Sequence, residues 1–445
     1  MPNVSFTNLL IISVVAVLAP LSIGFVPKLR IPAVVLEIVA GIVIGPSVLG
    51  WVRVDLPVQI LALFGLAFLL FLAGLEIDVR RLRGTVLRLA LLGYVVTLVL
   101  GIGIGFGFGA AGWVKQPLLL AIALSATSLG LVVPVLKDAG QVDGEVGQSA
   151  IANATIADFA AIVLLSLFFS TSGGSTGVKL VLLVAFVAVV AATWFAVRTA
   201  GRSMRLGEVV VRLQDTTAEI RVRFAVVLLV AFTALAERFG LESILGAFLA
   251  GAVVSLVDRD SRSHPHFRLK LEAIGYGFVI PVFFVSSGVK LDLSGLLSHP
   301  TALLRVPLFL VALLVVRGVP ALLALRTNGF RATTAIGLLQ ATSLPFIVTA
   351  TQIGMTLGKI STVTGAALIF AGLLSVLLFP VGALALLRRS GRSELEDPDD
   401  QRGIGDGVRR DGVVRPDVDP GVAGTQGQHS LDHARTEVLQ EQEDD

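Results

Sequence analysis

The 445-residue chain predicts an all-α polytopic membrane protein built on an inverted-topology repeat, on three observations. The composition is 55% hydrophobic and 15% charged, with a mean hydropathy of +0.87, too apolar for a soluble globule of this size. Apolar runs of roughly 17 to 25 residues, long enough to cross about 30 Å as helices, recur almost without pause from Leu9 to Leu387. Polar motifs inside those runs also recur in pairs at one offset.

About thirteen runs are expected as transmembrane helices, near residues 6–26, 33–51, 58–77, 86–110, 117–136, 147–169, 178–199, 222–238, 243–257, 271–289, 301–325, 332–355 and 362–388. The first lacks a basic n-region and an A-x-A site, so it is expected to persist as a helix. Lys and Arg concentrate in alternate loops, such as Lys28 and Arg30, then Arg80, Arg81 and Arg83, then Arg202 to Arg223. The loops between hold mostly one each, among them Arg53, Lys115 and Lys359. That alternation predicts an N-terminus outside and a C-terminus in the cytoplasm of a plasma (inner) membrane protein. The net charge of +3 is therefore a topology signal and implies no nucleic-acid partner. Zero cysteines excludes disulfides and thiolate metal sites.

Beyond residue 392 the chain turns acidic, Gly- and Pro-rich and nearly free of aromatics. Such a segment cannot bury enough apolar surface to offset its chain entropy, so 393–445 is expected to be a disordered cytoplasmic tail. His429 and His433 share helical spacing there, but a solvated pair lacks the further ligands that a metal needs.

The internal pairs are specific. Ala-Thr-Ser-Leu occurs at 126–129 and again at 341–344, 215 residues on. "FLAGLEIDV" and "FVSSGVKLDL" set Gly74 and Asp78 against Gly288 and Asp292, 214 residues on. Two matches at nearly one offset argue for duplication. Counterparts seven helices apart cross the membrane in opposite senses, which is the inverted repeat of many secondary transporters. The repeats are expected at about 6–169 and 222–388, with a linker helix at about 178–199.

Both ATSL segments are expected to be broken helices that cross near mid-membrane. Pro134 follows the first and Pro345 opens the end of the second; each removes a main-chain donor, and the hydroxyls of Thr127, Ser128, Thr342 and Ser343 can satisfy the groups so freed. Exposed main-chain groups and opposed half-dipoles can hold an ion without a rigid metal cage. Asp158 lies half way along the sixth run, where a carboxylate costs roughly 2.5 to 3.5 kcal/mol on insertion scales and is by default functional. Desolvation favours its neutral acid and a nearby cation favours its anion, so proton and cation compete for it. Thr155, three residues earlier on one helix face, is expected to hydrogen-bond it. Arg317 is the other ionisable residue well inside a run, read as a salt-bridge partner, a charge balancing the broken helices, or a snorkelling side chain. Glu37 is read as interfacial, Glu76 as solvated at a helix end, and Glu242 as a helix cap. "GIGIGFGFG" at 101–109 lacks the flanking strand and Lys of a phosphate loop, so close helix packing is expected.

"VVLEIVAGIVIGPSVLG", "FGLAFLLFLAGLEID", "ALSATSLGLVVPVLKDAG", the Asp of "IADFAAIVLL", "GLESILGAFLAGAVVS" and "GYGFVIPVFFVSSGVKLDL" together resemble the monovalent cation:proton antiporter-2 family, with its sodium/hydrogen exchanger-like transmembrane domain, over about residues 8 to 388. The resemblance implies a homodimer whose first three spans and spans eight to ten dimerise. It implies a mobile core of spans four to six and eleven to thirteen, moving like an elevator. It maps the family's ion- and proton-binding aspartate onto Asp158 and its basic residue onto Arg317. The family often has Asp, Asn or Gln just before that aspartate, whereas this chain has Ala157, which favours electroneutral exchange. The function expected of residues 1–392 is proton exchange for Na⁺ or K⁺, with no enzymatic activity and no cofactor. The alternatives are a gated K⁺ efflux channel on the same scaffold and a membrane sensor without transport. Regulation of the nucleotide-binding kind would need a separate subunit.

Overall fold

The computed structural model describes residues 5–24, 32–76, 84–138, 141–142, 144–169, 176–200, 219–257, 265–298 and 300–393. Among them there is no strand, and helix lies along every apolar run named above. In chain order these are α1 (Thr7–Gly24), α2 (Ala33–Ile44), α3 (Leu56–Leu75), α4 (Gly84–Ala110), α5 (Pro117–Ser125), α6 (Leu129–Asp138), α7 (Glu145–Phe169), α8 (Thr176–Ala200), α9 (Ile220–Arg238), α10 (Ser243–Val257), α11 (Pro265–Ile274), α12 (Ile280–Val289), α13 (Leu293–Ser298), α14 (Pro300–Gly318), α15 (Leu325–Gln340), α16 (Pro345–Thr356) and α17 (Thr362–Ser393). Seven stretches of the described residues are long and apolar enough to cross a membrane, and α1, α2 and α10 are shorter apolar helices beside them. Asp78, the basic clusters at 80–83 and 201–218, and the tail from 394 with His429 and His433 lie outside the described residues.

Local chemistry sets the helix ends. The second apolar run was expected to reach residue 51, but α2 stops at Ile44 because Gly45 precedes Pro46 and is extended (φ −71°, ψ 175°). α3 starts where the Asp55 carboxylate accepts the Val58 N–H at 3.2 Å, with Pro57 in the first turn. Between α11 and α12 lies one π turn, Gly275–Val279, whose extra residue lets the Ile280 N–H reach the Gly275 carbonyl.

The helices pack as two groups, dense within and thin between. The first comprises α1, α2, α3, α9, α10 and α12; the second comprises α4 to α7 and α14 to α17. In the first group glycine lets backbones meet. A Cβ on Gly41 would strike the Val285 carbonyl and one on Gly288 the Ile38 carbonyl, joining α2 to α12. Likewise Gly74 faces the Phe248 carbonyl and Gly251 the Phe71 carbonyl, joining α3 to α10. In the second group, Gly101 and Gly105 of α4 sit against the carbonyls of Ala121 and Pro117, whereas Gly103 and Gly107 meet nothing within 4 Å. The Gly-rich run therefore packs a helix on one face only.

Overpacking at a backbone contact costs about 1–3 kcal/mol. Gly251→Ala and Gly288→Ala should each lower the melting temperature of the detergent-solubilised protein, while Gly103→Ala should leave it unchanged or raised. Unaltered melting in the first two variants would show that the α2–α12 and α3–α10 contacts relax freely.

Candidate ion-binding site

The site starts from two interrupted helices. α5 ends at Ser125, Ala126 is extended (φ −80°, ψ 156°), and helix resumes as α6 at Leu129. α15 ends at Gln340 and α16 begins at Pro345, whose missing N–H costs nothing at a first helical position. The two gaps touch: the Ser128 N–H donates to the Thr342 carbonyl at 3.0 Å. Pro134 lies inside α6, past the first gap, so it does not make that break; its side chain lies outside the described residues.

The remaining free groups of the first gap are satisfied from neighbouring helices. Asp158, on α7, accepts the Thr127 N–H on Oδ1 at 3.1 Å and the Leu129 N–H on Oδ2 at 3.3 Å. Its carboxylate therefore stands at the start of α6, where the helix dipole favours negative charge. On the other side of the same residue, the Thr127 hydroxyl donates to the Gln340 carbonyl at 2.7 Å and accepts Arg317 Nε at 2.8 Å. Arg317, 2% exposed on α14, also donates from Nη1 to Thr97 Oγ1 of α4 at 3.2 Å, and its Nη2 is buried without a partner. The guanidinium thus stands by the carbonyl ends of α5 and α15, where positive charge is favoured. It forms no ion pair with Asp158 and does not snorkel. Thr127 lies between acid and base, its amide on one and its hydroxyl on the other.

The other predicted site residues separate into two sets. Ser128 and Pro345 line, with Asp158 and Thr127, a cavity of about 80 Å³, room for more than one water-sized occupant. Thr342 and Ser343 are fully buried in the second gap. The Thr342 hydroxyl returns to the Leu338 carbonyl at 3.1 Å, the Ser343 N–H donates to Ser375 Oγ at 3.3 Å, and the Ser343 hydroxyl has no partner. Thr155 departs from expectation: its hydroxyl donates to the Ile151 carbonyl at 2.8 Å, the common back-bond within a helix. It is therefore not a donor to Asp158. Ala157 is buried against Ala90 and Tyr94 of α4, away from the cavity.

Two acids sit differently from the sequence expectation, and a third, Glu242, stands at the helix start where a cap was expected. Glu76, at the end of α3, is half-buried rather than fully solvated; it lines the Asp158 cavity, with one carboxylate oxygen buried and unpartnered and the other 3.9 Å from Arg268 Nη2. Glu37 is buried, 5% exposed, rather than interfacial. Glu242 directly precedes α10, and its N–H is held by the Ser166 hydroxyl at 3.0 Å. Sequence reading missed Thr97, Tyr94, Tyr276 and Ser375. Tyr94 and Thr97 share a face of α4, and Tyr94 Oη lies 3.2 Å from Ser125 Oγ. Among the described residues no group of three His, Cys, Asp or Glu could hold a metal, so any ion here would be held by one or two carboxylates, hydroxyls and main-chain oxygens.

Residues 13–389 match the family model described as "Sodium/hydrogen exchanger, transmembrane". A Bacillus subtilis relative, YjbQ, is 34% identical over 411 residues, covering 88% of this chain; the chain spans 65% of the length of that relative. The Na(+)/H(+) antiporter of Enterococcus hirae is 30% identical over 279 residues, 60% of this chain and 69% of its own. Among solved structures, the sodium proton antiporter MjNhaP1 from Methanocaldococcus jannaschii shares the fold, with a TM-score of 0.56 at 18% identity over 87% of this chain and 98% of that one. The matched family model, running over nearly all of the apolar region that carries the two interrupted helices, places the chain in the sodium/hydrogen exchanger transmembrane family.

Proposed function

We propose that residues 1–392 form a secondary antiporter that exchanges one proton for one monovalent cation, Na⁺ or K⁺, at Asp158. One observation carries this reading: among the described residues two main-chain amides are the groups bonded to the Asp158 carboxylate, and no guanidinium forms an ion pair with it. Such a carboxylate can be discharged either by H⁺ or by a cation in the adjoining cavity, but not by both. Exchange follows from that exclusion.

The rest of the reading has separate supports. Elevator-like movement of the second helix group against the first is supported by the thin packing between them. An inverted repeat, about 6–169 and 222–388 around a linker at about 178–199, is supported by the recurrence of Ala-Thr-Ser-Leu at both gaps. Electroneutral stoichiometry is supported by Ala157, which is packed where a second carboxylate would have to be desolvated. Glu76 stands within reach of Arg268 instead. A homodimer in the plasma membrane, N-terminus outside and C-terminus cytoplasmic, completes the proposal, with Thr127, Ser128 and main-chain oxygens of the gaps as further cation ligands. A separate regulatory subunit is compatible with it.

In proteoliposomes with a pH-sensitive dye, adding Na⁺, K⁺ or Li⁺ should dissipate an imposed proton gradient, and Asp158→Asn should reduce the response to that of empty liposomes. Cation-evoked proton flux surviving in that variant would remove the site. Cation flux without counter-moving protons would identify a channel, and no flux in wild type a sensor.

Competition for one carboxylate also fixes a pH law. Below the range where Asp158 ionises, the apparent KM for the cation should rise about tenfold per pH unit lost, and a two-proton cycle would approach about a hundredfold. Clamping the membrane potential with a potassium ionophore should leave one-for-one exchange of Na⁺ unchanged.

Thr127→Ala keeps the amide on Asp158 but frees Arg317 Nε and the Gln340 carbonyl, so it should lower stability by about 1–3 kcal/mol, read as a fall in melting temperature. Thr127→Ser, which restores the hydroxyl, should recover it.

A further inference from the structure

A second cavity, open and of about 340 Å³, lies at the α2–α3 connection, remote in sequence from the Asp158 gaps. Its wall comes from Pro46, Ser47, Arg53 and Val54 on that connection and from Val289 to Asp292 at the end of α12. The Ser47 hydroxyl ties the two segments together, donating to the Leu291 carbonyl at 2.8 Å and accepting the Leu293 N–H at 3.3 Å. The cavity is thus a formed feature of the first helix group.

Its charges do not cancel. Asp292 is engaged by the Gly295 N–H at 2.8 Å and lies 3.5 Å from the Thr362 hydroxyl. The acid nearest to Arg53 in sequence, Asp55, caps α3 and accepts Asn8 Nδ2 at 2.8 Å. Among the described residues neither the Arg53 guanidinium nor the Lys290 ammonium has an acidic partner. Beside them the same connection exposes Val48 and Trp51, by 52% and 64%, and the first residue of α3, Leu56, is 55% exposed. Two cations without an ion-pair partner, against the single Asp292 carboxylate of the same cavity, leave a net positive charge next to apolar and aromatic side chains at the end of membrane-crossing helices, which matches a ligand with an anionic head and hydrocarbon tails.

We propose that this cavity binds the phosphate of an anionic phospholipid. Arg53 and Lys290 take the phosphate oxygens, Arg53 with its planar fork and Lys290 as a point charge. Val48, Trp51 and Leu56 lie along the glycerol and acyl chains. Free inorganic phosphate shares the head chemistry but makes no use of that apolar flank.

Native mass spectrometry of the full-length protein in detergent tests the proposal, after incubation with phosphatidylglycerol, phosphatidylcholine or inorganic phosphate. Wild type should retain phosphatidylglycerol about tenfold more than phosphatidylcholine, a difference of about 1.4 kcal/mol. Arg53→Gln/Lys290→Gln should lose that preference, while Lys115→Gln/Lys359→Gln, removing two other exposed cations, should keep it. If the double variant does not fold, Arg53→Gln and Lys290→Gln are measured singly, each expected to weaken the preference. Retained preference in the Arg53 and Lys290 variants, or equal loss in the Lys115/Lys359 control, would overturn the site. Displacement of the lipid by millimolar inorganic phosphate would overturn the lipid assignment in favour of a free anion.

Discussion

In hydrocarbon every main-chain N–H and C=O needs a partner within the protein, and each one left without costs several kcal/mol. The two interrupted helices break that rule at one place and repair it there. Asp158 takes two amides, Thr342 takes a third, and the Thr127 hydroxyl closes the Gln340 carbonyl. A carboxylate that is expensive in a membrane is thereby placed where the backbone supplies donors and a helix N-terminus. Arg317 answers the opposite need, at the carbonyl ends. Charge and broken backbone each make the other tolerable.

Much of this was legible in the sequence because the signals are local and sparse. A lone Asp in an apolar run, a lone Arg in another, and a polar tetrapeptide repeated at one offset cannot be hidden by packing. Asp158, Thr127 and Arg317 do meet, although helix spacing could not show that the acid and the base meet only through a threonine. Thr155 shows why: three residues of separation put two side chains on one face, but a threonine in a helix can satisfy its hydroxyl on the carbonyl four residues back. Glu76 and Glu37 were misjudged for a related reason. Position near the end of an apolar run fixes depth along the membrane normal, whereas exposure depends on which neighbouring helix covers that side. Thr97 and Tyr94 carried a usable signal, two polar residues three apart in an apolar helix, whose partners lay on helices far away in sequence.

Glycine makes the joints within the helix groups different in kind from the contacts between them. In the first group, Gly41, Gly74, Gly251 and Gly288 put main chain directly on main chain, leaving no side chain to rearrange. Between the groups no such weld recurs among the described residues, and contact falls to side chains such as Gln352, whose amide donates to Ser287 Oγ at 2.7 Å. Rigid units separated by replaceable contacts are what a sliding movement requires.

The π turn at Gly275–Val279 sets the angular phase of everything after it. One extra residue in a turn rotates the following helix by about 100° relative to an unbroken one. Tyr276, within the turn, lines the acid-lined cavity, and Gly288, twelve positions downstream, meets α2 back to back. Removing a single residue there would not shorten the helix so much as turn its far half, carrying Gly288 off Ile38 and setting a bulkier neighbour in its place.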